Sequence, residues 1–371
     1  MSSNYPVVIY GASGYTGRLI AEYLRDARIP FVAAGRSRAR IEEAMRVVPG
    51  IDDARYEIVE VEHDVESLTK LFQGRRVVCN TVGPFTRKGP VVIEAALRAG
   101  IHYLDTTGEQ AYMLDVKERF GTEFEKAGLV LVPSLAYMYA VSEITARFCL
   151  ETEGVDSLDM FAYGVAVPTQ ASTESIFDIV RNKARYLADH ELVEYRGVEV
   201  RDIQIPGGSV LKATHWGGTA NPVWFHDDPR VRNCKMAVAL SNQDIYKRVM
   251  ELERAFKVQL QWIPDEQLIP LLDKLAANMT PSMPPRESRN VHRSMDWCHG
   301  RGNNVASACT IYGTGGYLMT GALQAYCAMR LIRGTPRVAG FRSPSEVFGH
   351  RELIGALQAQ GLASVTHQRV V

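Results

Sequence analysis

Three glycines, Gly11, Gly14 and Gly17, follow the apolar run Val7 to Tyr10 and precede a stretch with apolar residues at Leu19, Ile20, Tyr23 and Leu24. The first run has the character of a strand and the second has helical spacing, so the glycines make the turn between them. A diphosphate set against a helix N-terminus is stabilised by unpaired backbone amides and the positive end of the dipole, provided no side chain blocks its approach. Glycines meet that condition, Ser13 and Thr16 add hydroxyls for phosphate oxygens, and Tyr15 lies in the same turn. A purely structural turn would use the same residues. The place of this one, between a strand and a helix close to residue 1, favours a dinucleotide. Its Gly-x-x-Gly-x-x-Gly spacing is that of a short-chain-reductase style of turn.

A second apolar run, Pro30 to Ala34, closes in Gly35-Arg36-Ser37-Arg38. An acidic residue at this point would bond a ribose 2′-hydroxyl, whereas arginine accommodates a 2′-phosphate. Arg36, with Ser37 and Arg38 as a second hydroxyl and a second cation, selects NADP(H) over NAD(H). The competing account of Arg36 is an exposed residue that merely opens a helix. Asp64, after a third run, is placed either to accept from an adenine amine or to cap the helix that follows. Asn80-Thr81-Val82-Gly83-Pro84 ends a fourth run, where ligands of open α/β sheets bind, and is expected beside the nicotinamide ribose. Gly83-Pro84 is equally a turn signal.

Elements that position these residues follow from the same pattern. Strands are expected at Val7 to Tyr10, Pro30 to Ala34, Tyr56 to Val61, Val77 to Thr81, His102 to Leu104 and Leu129 to Val132. Helices are expected at Arg18 to Arg28, Arg38 to Val47, Val65 to Phe72, Pro90 to Ala99 and Met113 to Ala127. Parallel strands need crossovers, so this alternation implies an α/β fold, an N-terminal Rossmann-type doubly wound parallel sheet. From about Asp156 the pattern turns β-rich, with strands at Leu158 to Val167, Val198 to Ile205, Val210 to Thr214, Lys235 to Leu240, Lys257 to Trp262 and Ala306 to Tyr312. Helices are expected among them at Ser172 to Ala188 and Asp244 to Ala255, and Tyr317 to Ile332 is a further helix entered through Gly313-Thr314-Gly315-Gly316. This is a second α/β domain on a mixed sheet. Residues 1–135 are thus expected to bind nucleotide and residues 136–334 substrate, with about 335–371 packing back on the first domain.

At 371 residues the chain exceeds the roughly 250 to 300 that one core usually serves. Lysine plus arginine equals aspartate plus glutamate at 42 each, so no net basic field draws nucleic acid or anionic lipid. The six cysteines are scattered with no Cys-x-x-Cys pair, which predicts no metal site and free thiols in a reducing cytoplasm. No apolar stretch reaches the about 18 residues of a membrane span, and residues 1 to 6 lack a signal-peptide pattern.

The blocks Gly11-Ala-Ser-Gly-Tyr-Thr-Gly17, Ala34-Gly35-Arg36, Asn80-Thr-Val-Gly-Pro-Phe85 and His102-Tyr-Leu-Asp-Thr-Thr-Gly-Glu109 resemble, in order, the NADP-binding domain of saccharopine dehydrogenase-like oxidoreductases, including the trans-acting enoyl reductases. A weaker likeness returns near Gly315 to Tyr317 and Phe341 to Gly361. The resemblance implies a Rossmann domain plus an α/β domain whose sheet covers the nicotinamide and forms a homodimer contact. Such proteins follow the sixth strand with a Gly-Phe-Asp-Ser-x-Pro-Ser-Asp type of loop. This chain reads Pro133-Ser-Leu-Ala-Tyr-Met-Tyr-Ala-Val-Ser-Glu143. An apolar loop with tyrosines argues against an amino-acid substrate, whose charges need partners, and for a hydrophobic small molecule.

Hydride transfer asks the protein to place the acceptor carbon and to give a hydrogen bond or proton where negative charge develops. Tyr137 and Tyr139 on the divergent loop, and His215, are the candidates, with Tyr112 and Tyr317 behind them. Each is equally a packed core residue. Asp105 and Glu109 are placed to orient a loop or contact cofactor. Three activities remain open: reduction of an activated C=C bond, reduction of a carbonyl or imine as in a saccharopine-type dehydrogenase, and NADP(H) sensing without turnover.

Overall fold

The computed structural model describes residues 4–165, 167–260, 262–280 and 282–370. The chain divides into two compact units, one of Met1–Thr107, Leu114–Ala140 and Tyr317–Gln360, the other of Gly108–Met113, Val141–Gly316 and Gly361–Val371.

The first unit alternates strand and helix: β1 Val7–Tyr10, α1 Tyr15–Asp26, β2 Phe31–Gly35, α2 Arg38–Arg46, β3 Tyr56–Glu60, α3 Val65–Phe72, β4 Val77–Asn80, α4 Phe85–Ala99, β5 His102–Asp105, α5 Gln110–Lys126, β6 Val130–Val132 and α6 Tyr139–Cys149, the last leading into the second unit. These strands lie parallel in the order β6-β5-β4-β1-β2-β3. Helices on both faces bury such strands completely, hence their unbroken apolar runs: Val7, Val8, Ile9, Phe31, Val32, Val77 and Val78 are all fully buried. The order reverses between β1 and β4, so the loops after these two strands flank the crevice of the switch point. The helix expected from Pro90 starts at Phe85 and holds Pro90 inside it.

The second unit comprises β7 Val155–Gly164, α7 Gln170–Arg181, β8 Arg185–Ala188, β9 Glu191–Glu194, β10 Val200–Gln204, β11 Val210–Thr214, α8 Asn221–Phe225, β12 Asn233–Leu240, α9 Gln243–Ala255, α10 Asp265–Met279, β13 Ser294–Gly302 and β14 Val305–Gly313. Its mixed sheet runs β10-β11-β12-β7-β13-β14, with β12 and β7 parallel, and β8 pairs with β12 and β9. One face is filled by Phe161, Leu211, Ala213, Ala237, Ala239 and Met295, with Tyr163, Ile203 and Trp297 against them.

Several elements here differ from the sequence expectation. Lys257 to Trp262 is no strand: Phe256–Leu260 continues α9 as a π-helical turn, Val258 and Trp262 are exposed, and Gln261 lies outside the described residues. Two-residue alternation there has no buried face to serve, and no strand pairing forms among the described residues. The helix expected through Ala188 stops at Arg181, and the chain goes on as β8. β13 is central yet unanticipated, because its polar residues Asp296, His299 and Arg301 dilute the apolar alternation. Ala166, inside the expected strand Leu158 to Val167, and Pro281 lie outside the described residues.

After β14 the chain forms α11 Gly316–Arg333, β15 Gly340–Phe341, α12 Pro344–Phe348, α13 His350–Ala359 and β16 Ala363–Val370. α11, placed by the sequence reading in the second domain, belongs to the first unit from Tyr317 on, and β15 pairs with β6. β16 belongs instead to the second unit, where it pairs with β14. A Cβ on Gly321 of α11 would meet Leu19 Cβ of α1 at 2.7 Å, so these two helices touch at a residue that must be small. Gly315, before α11, packs against Glu287, which accounts for the second glycine turn by close approach.

Candidate functional site

The turn after β1 is folded by its own backbone. Gly11 N–H and Ala12 N–H both donate to Ala34 O, at 2.9 and 3.1 Å, and Gly14 N–H donates to Gly11 O at 2.9 Å. Gly11 has φ 94°, and a Cβ there would meet Thr81 Oγ1 at 2.5 Å and Val82 Cγ2 at 2.9 Å. A Cβ on Gly17 would meet Gly11 O at 2.5 Å. These two glycines therefore let strand, turn and helix close on one another. At Gly14 a Cβ would meet nothing within 4 Å except Gly11 O, so that side of the turn is open. α1 begins there with no side-chain cap and no acidic residue in its first turn. That is the donor chemistry a diphosphate requires. Tyr15 is buried with its ring 4.9 Å from that of Tyr317, while Ser13 and Thr16 flank the turn.

The loop after β4 lies across the switch point. Thr81 Oγ1 donates to Tyr10 O and Gly11 O at 3.1 and 3.2 Å, tying it to the glycine turn. Asn80 Oδ1 accepts from Val82 N–H, and its amide donates to Tyr103 OH at 2.9 Å. Tyr103 in turn donates to Asp105 Oδ2, while Asp105 Oδ1 accepts from Thr107 and Ser134 N–H at 2.9 Å each. Asp105 thus orients a loop, one of the two roles set out for it. Gly83-Pro84 is a cis peptide, and Lys88 Nζ donates to Gly83 O at 2.8 Å.

At the end of β2 the expected trio separates. Arg36 is exposed. Ser37 Oγ accepts from Arg40 N–H and caps α2. Arg38 donates to Ile58 O at 2.9 Å and from its backbone to Glu60, with Glu42 beside its guanidinium. Asp64 caps α3, accepting from Ser67 N–H at 2.8 Å, which holds its carboxyl below the usual range. Of the two accounts of Asp64 the structure shows the cap.

In the divergent loop Ser134 and Met138 have φ 61° and 82°, a conformation non-glycine residues rarely hold. Ser134 Oγ donates to Thr107 O, Gln324 of α11 donates to Leu135 O and Asp105 O at 2.8 Å each, and Thr320 Oγ1 accepts from Tyr137 N–H at 2.9 Å. Ala136, Tyr137 and Met138 are half-buried, whereas Tyr139 at the start of α6 is 3 % exposed. Gln324 and Thr320 were invisible to sequence reasoning, since nothing local links them to residues nearly 190 positions away.

His215 lies in the second unit, 2 % exposed, stacked on Tyr195, with Nε2 3.1 Å from Gly197 O and 3.6 Å from Glu253. Burial lowers its pKa, with Glu253 pulling the other way. In the same unit Glu109 accepts from Ser175, and Tyr112 is fully buried.

Comparison with known proteins divides the chain between residues 132 and 140, so its second match includes Tyr317–Gln360, which the structure places in the first unit. Residues 7–132 match the saccharopine dehydrogenase NADP binding domain, and residues 140–369 match a family of unknown function, DUF5938. The chain belongs to the DUF5938 family. It carries the NADP(H)-binding domain ahead of the family's own segment. A lipid droplet localized protein of Caenorhabditis elegans is 29% identical over 154 residues, 39% of this chain and 36% of that one. A putative trans-acting enoyl reductase of Mycobacterium tuberculosis is 32% identical over 146 residues, 38% of this chain and 34% of the relative. The match therefore spans about a third of those relatives. Apo saccharopine dehydrogenase (L-Glu forming) of Saccharomyces cerevisiae shares the fold, with a TM-score of 0.59 at 15% identity, over 98% of this chain and 99% of that one. Among the described residues no helix is long and apolar enough to cross a membrane.

Proposed function

We propose that this DUF5938 protein is an NADP(H)-dependent oxidoreductase that reduces an activated C=C bond in an apolar enone or enoyl compound. The observation that carries the reading is the uncapped, glycine-built N-terminus of α1 at the switch point, one strand away from the exposed Arg36. The amides after Gly14 hold the diphosphate, Arg36 holds the 2′-phosphate, and Asn80 to Pro84 border the nicotinamide ribose. NADPH, when bound, supplies the hydride.

The substrate assignment rests on the loop from Pro133 to Tyr139, which offers no charged side chain to an amino-acid substrate and holds Ala136, Tyr137 and Met138 half-buried. The relatives named as trans-acting enoyl reductases support reduction of C=C. Tyr137 is carried forward as hydrogen-bond donor to the oxygen that gains charge, because Tyr139 and His215 are buried in packing. A cytoplasmic homodimer with reduced cysteines belongs to the same proposal, in keeping with six buried thiols. The test is NADPH consumption with enones, ketones and imines, followed by locating deuterium delivered from C4-deuterated NADPH. Label at the β carbon of an enone supports the reading. Label at a carbonyl or imine carbon moves the assignment to that reduction, and tight NADPH binding without consumption makes the protein a sensor.

A further inference from the structure

Beside Arg36 stands a group that the sequence reading passed over. His63 follows β3, the strand paired with β2, and its Nδ1 is 2.8 Å from the hydroxyl of Tyr10 at the end of β1. The two rings are parallel within 4° at 5.9 Å between centroids. Tyr10 is buried and its hydroxyl is pushed up to about 12, first by desolvation, so it stays an O–H at any physiological pH. A phenol can donate to Nδ1 of a neutral ring whose proton is on Nε2, and accept from Nδ1–H once the ring is charged. The pair therefore suits both protonation states without moving. His63 Nε2 is buried without a hydrogen-bond partner, and the Lys88 backbone near the ring favours its charged form.

The charges facing His63 come from four elements. Lys88 of α4 and Arg36 after β2 disfavour a charged ring and add to desolvation, the largest effect, while Asp64 at the head of α3 favours it; Glu62 precedes it in the chain and also faces Tyr10. Two cations and two carboxylates thus surround the pair, Asp64 being held ionised by Ser67 N–H, so an added phosphate dianion would tip the local balance toward negative charge. Ser37 and Arg38, the other expected partners of a 2′-phosphate, are engaged with α2 and β3.

We propose that His63, held by Tyr10, is the second recognition group for the 2′-phosphate beside Arg36, and that it takes up a proton when NADP(H) binds. The inference rests on the cofactor assignment and adds specificity to it. A phosphate dianion close to His63 favours the charged ring and reverses the effect of Arg36 and Lys88. Affinity for NADP+ is then linked to pH, whereas NAD+, lacking that phosphate, is not.

The test is titration calorimetry of NADP+ and NAD+ at pH 6 and pH 8, each in two buffers of different ionisation enthalpy, with wild type and His63→Gln. The phosphate's own second proton titrates near pH 6 and acts in the opposite direction, but equally in both proteins. Relative to His63→Gln, wild type is expected to bind NADP+ about threefold to sixfold tighter at pH 6 than at pH 8, as a rise of one pKa unit within that window gives. It should also take up more protons. NAD+ binding, equal in both proteins, shows that the variant is folded. Parallel pH profiles, or equal proton uptake, overturn the role of His63 and leave the cofactor assignment standing. Absence of NADP+ binding by wild type at both pH values overturns the cofactor assignment itself.

Discussion

Among single residues, Arg36 and Ser37 separate two accounts of one short stretch. Both were readable as phosphate ligands, since a hydroxyl and a guanidinium after β2 suit a 2′-phosphate. The structure leaves Arg36 exposed while Ser37 Oγ caps α2. Arg36→Asp should weaken NADPH about 100-fold, the loss of a charge-assisted contact worth up to about 3 kcal/mol, and NADH far less. Ser37→Ala should lower stability by about 1 kcal/mol and leave NADPH affinity within a factor of about two. Calorimetry with both nucleotides, plus urea unfolding, decides the matter; a large NADPH loss in Ser37→Ala would return the hydroxyl to the site. The same ambiguity explains Asp64, since caps and ligands draw on the same residue types at the same place, the carboxyl end of a strand. Tyr10 and His63 were missed for another reason: their meeting depends on β1 and β3 ending side by side across β2, which no local pattern encodes.

For whole elements, the divergent loop is the part whose shape is imposed from far along the chain. Asp105 and Ser134 hold its start, but Leu135 and Tyr137 are held by Gln324 and Thr320 of α11. Gln324 is fully buried and its amide serves two carbonyls, so Gln324→Leu leaves both without their donor and should cost about 1–3 kcal/mol. Because Leu135 precedes Tyr137 by two residues, the variant should also lower kcat while the KM for NADPH holds. Tyr137→Phe should lower kcat about 10- to 1000-fold with unchanged stability. Steady-state kinetics with the best enone, beside thermal melts, check both; unaltered kcat in Tyr137→Phe removes the tyrosine from the chemistry. The six alternating strands of the first unit were legible because two-sided burial makes each one a continuous apolar run. β13 and the π-turn at Phe256–Leu260 were not, because a polar strand inside a sheet and a helical turn that leaves Val258 exposed both invert the link between hydropathy and burial.

Across the molecule as a whole, pH acts on buried groups of opposite sign in the two units. His102 of β5 accepts from Val130 N–H through Nδ1, and burial, helped by Arg76, lowers its pKa to about 4. Its folded pKa lies below the unfolded value near 6.5, so its contribution is present above that pH and is lost as pH falls toward about 4. Asp296 of β13 is the reverse case. It is fully buried, Ser142 Oγ donates to its Oδ1 at 2.6 Å, and its Oδ2 has no partner. Burial raises its pKa well above the ordinary value, outweighing Ser142, which favours the charged form. The folded chain then keeps a proton that the unfolded chain releases above about pH 3.9, so stability falls as pH rises from there to the folded value, by up to about 1.4 kcal/mol per pH unit. Both groups titrate within one window, and only substitution separates them. Asp296→Asn removes the ionisable group at nearly the same volume, so the variant should melt higher than wild type at pH 7.5, with the gap closing as pH falls toward 4. His102→Gln should show the opposite trend, losing most relative to wild type at high pH. Melting curves of the three proteins between pH 4 and pH 7.5 provide the measurement. A constant gap between Asp296→Asn and wild type across that range would mean that Asp296 is ionised in the folded chain, and would require a cation or a solvent path to Oδ2.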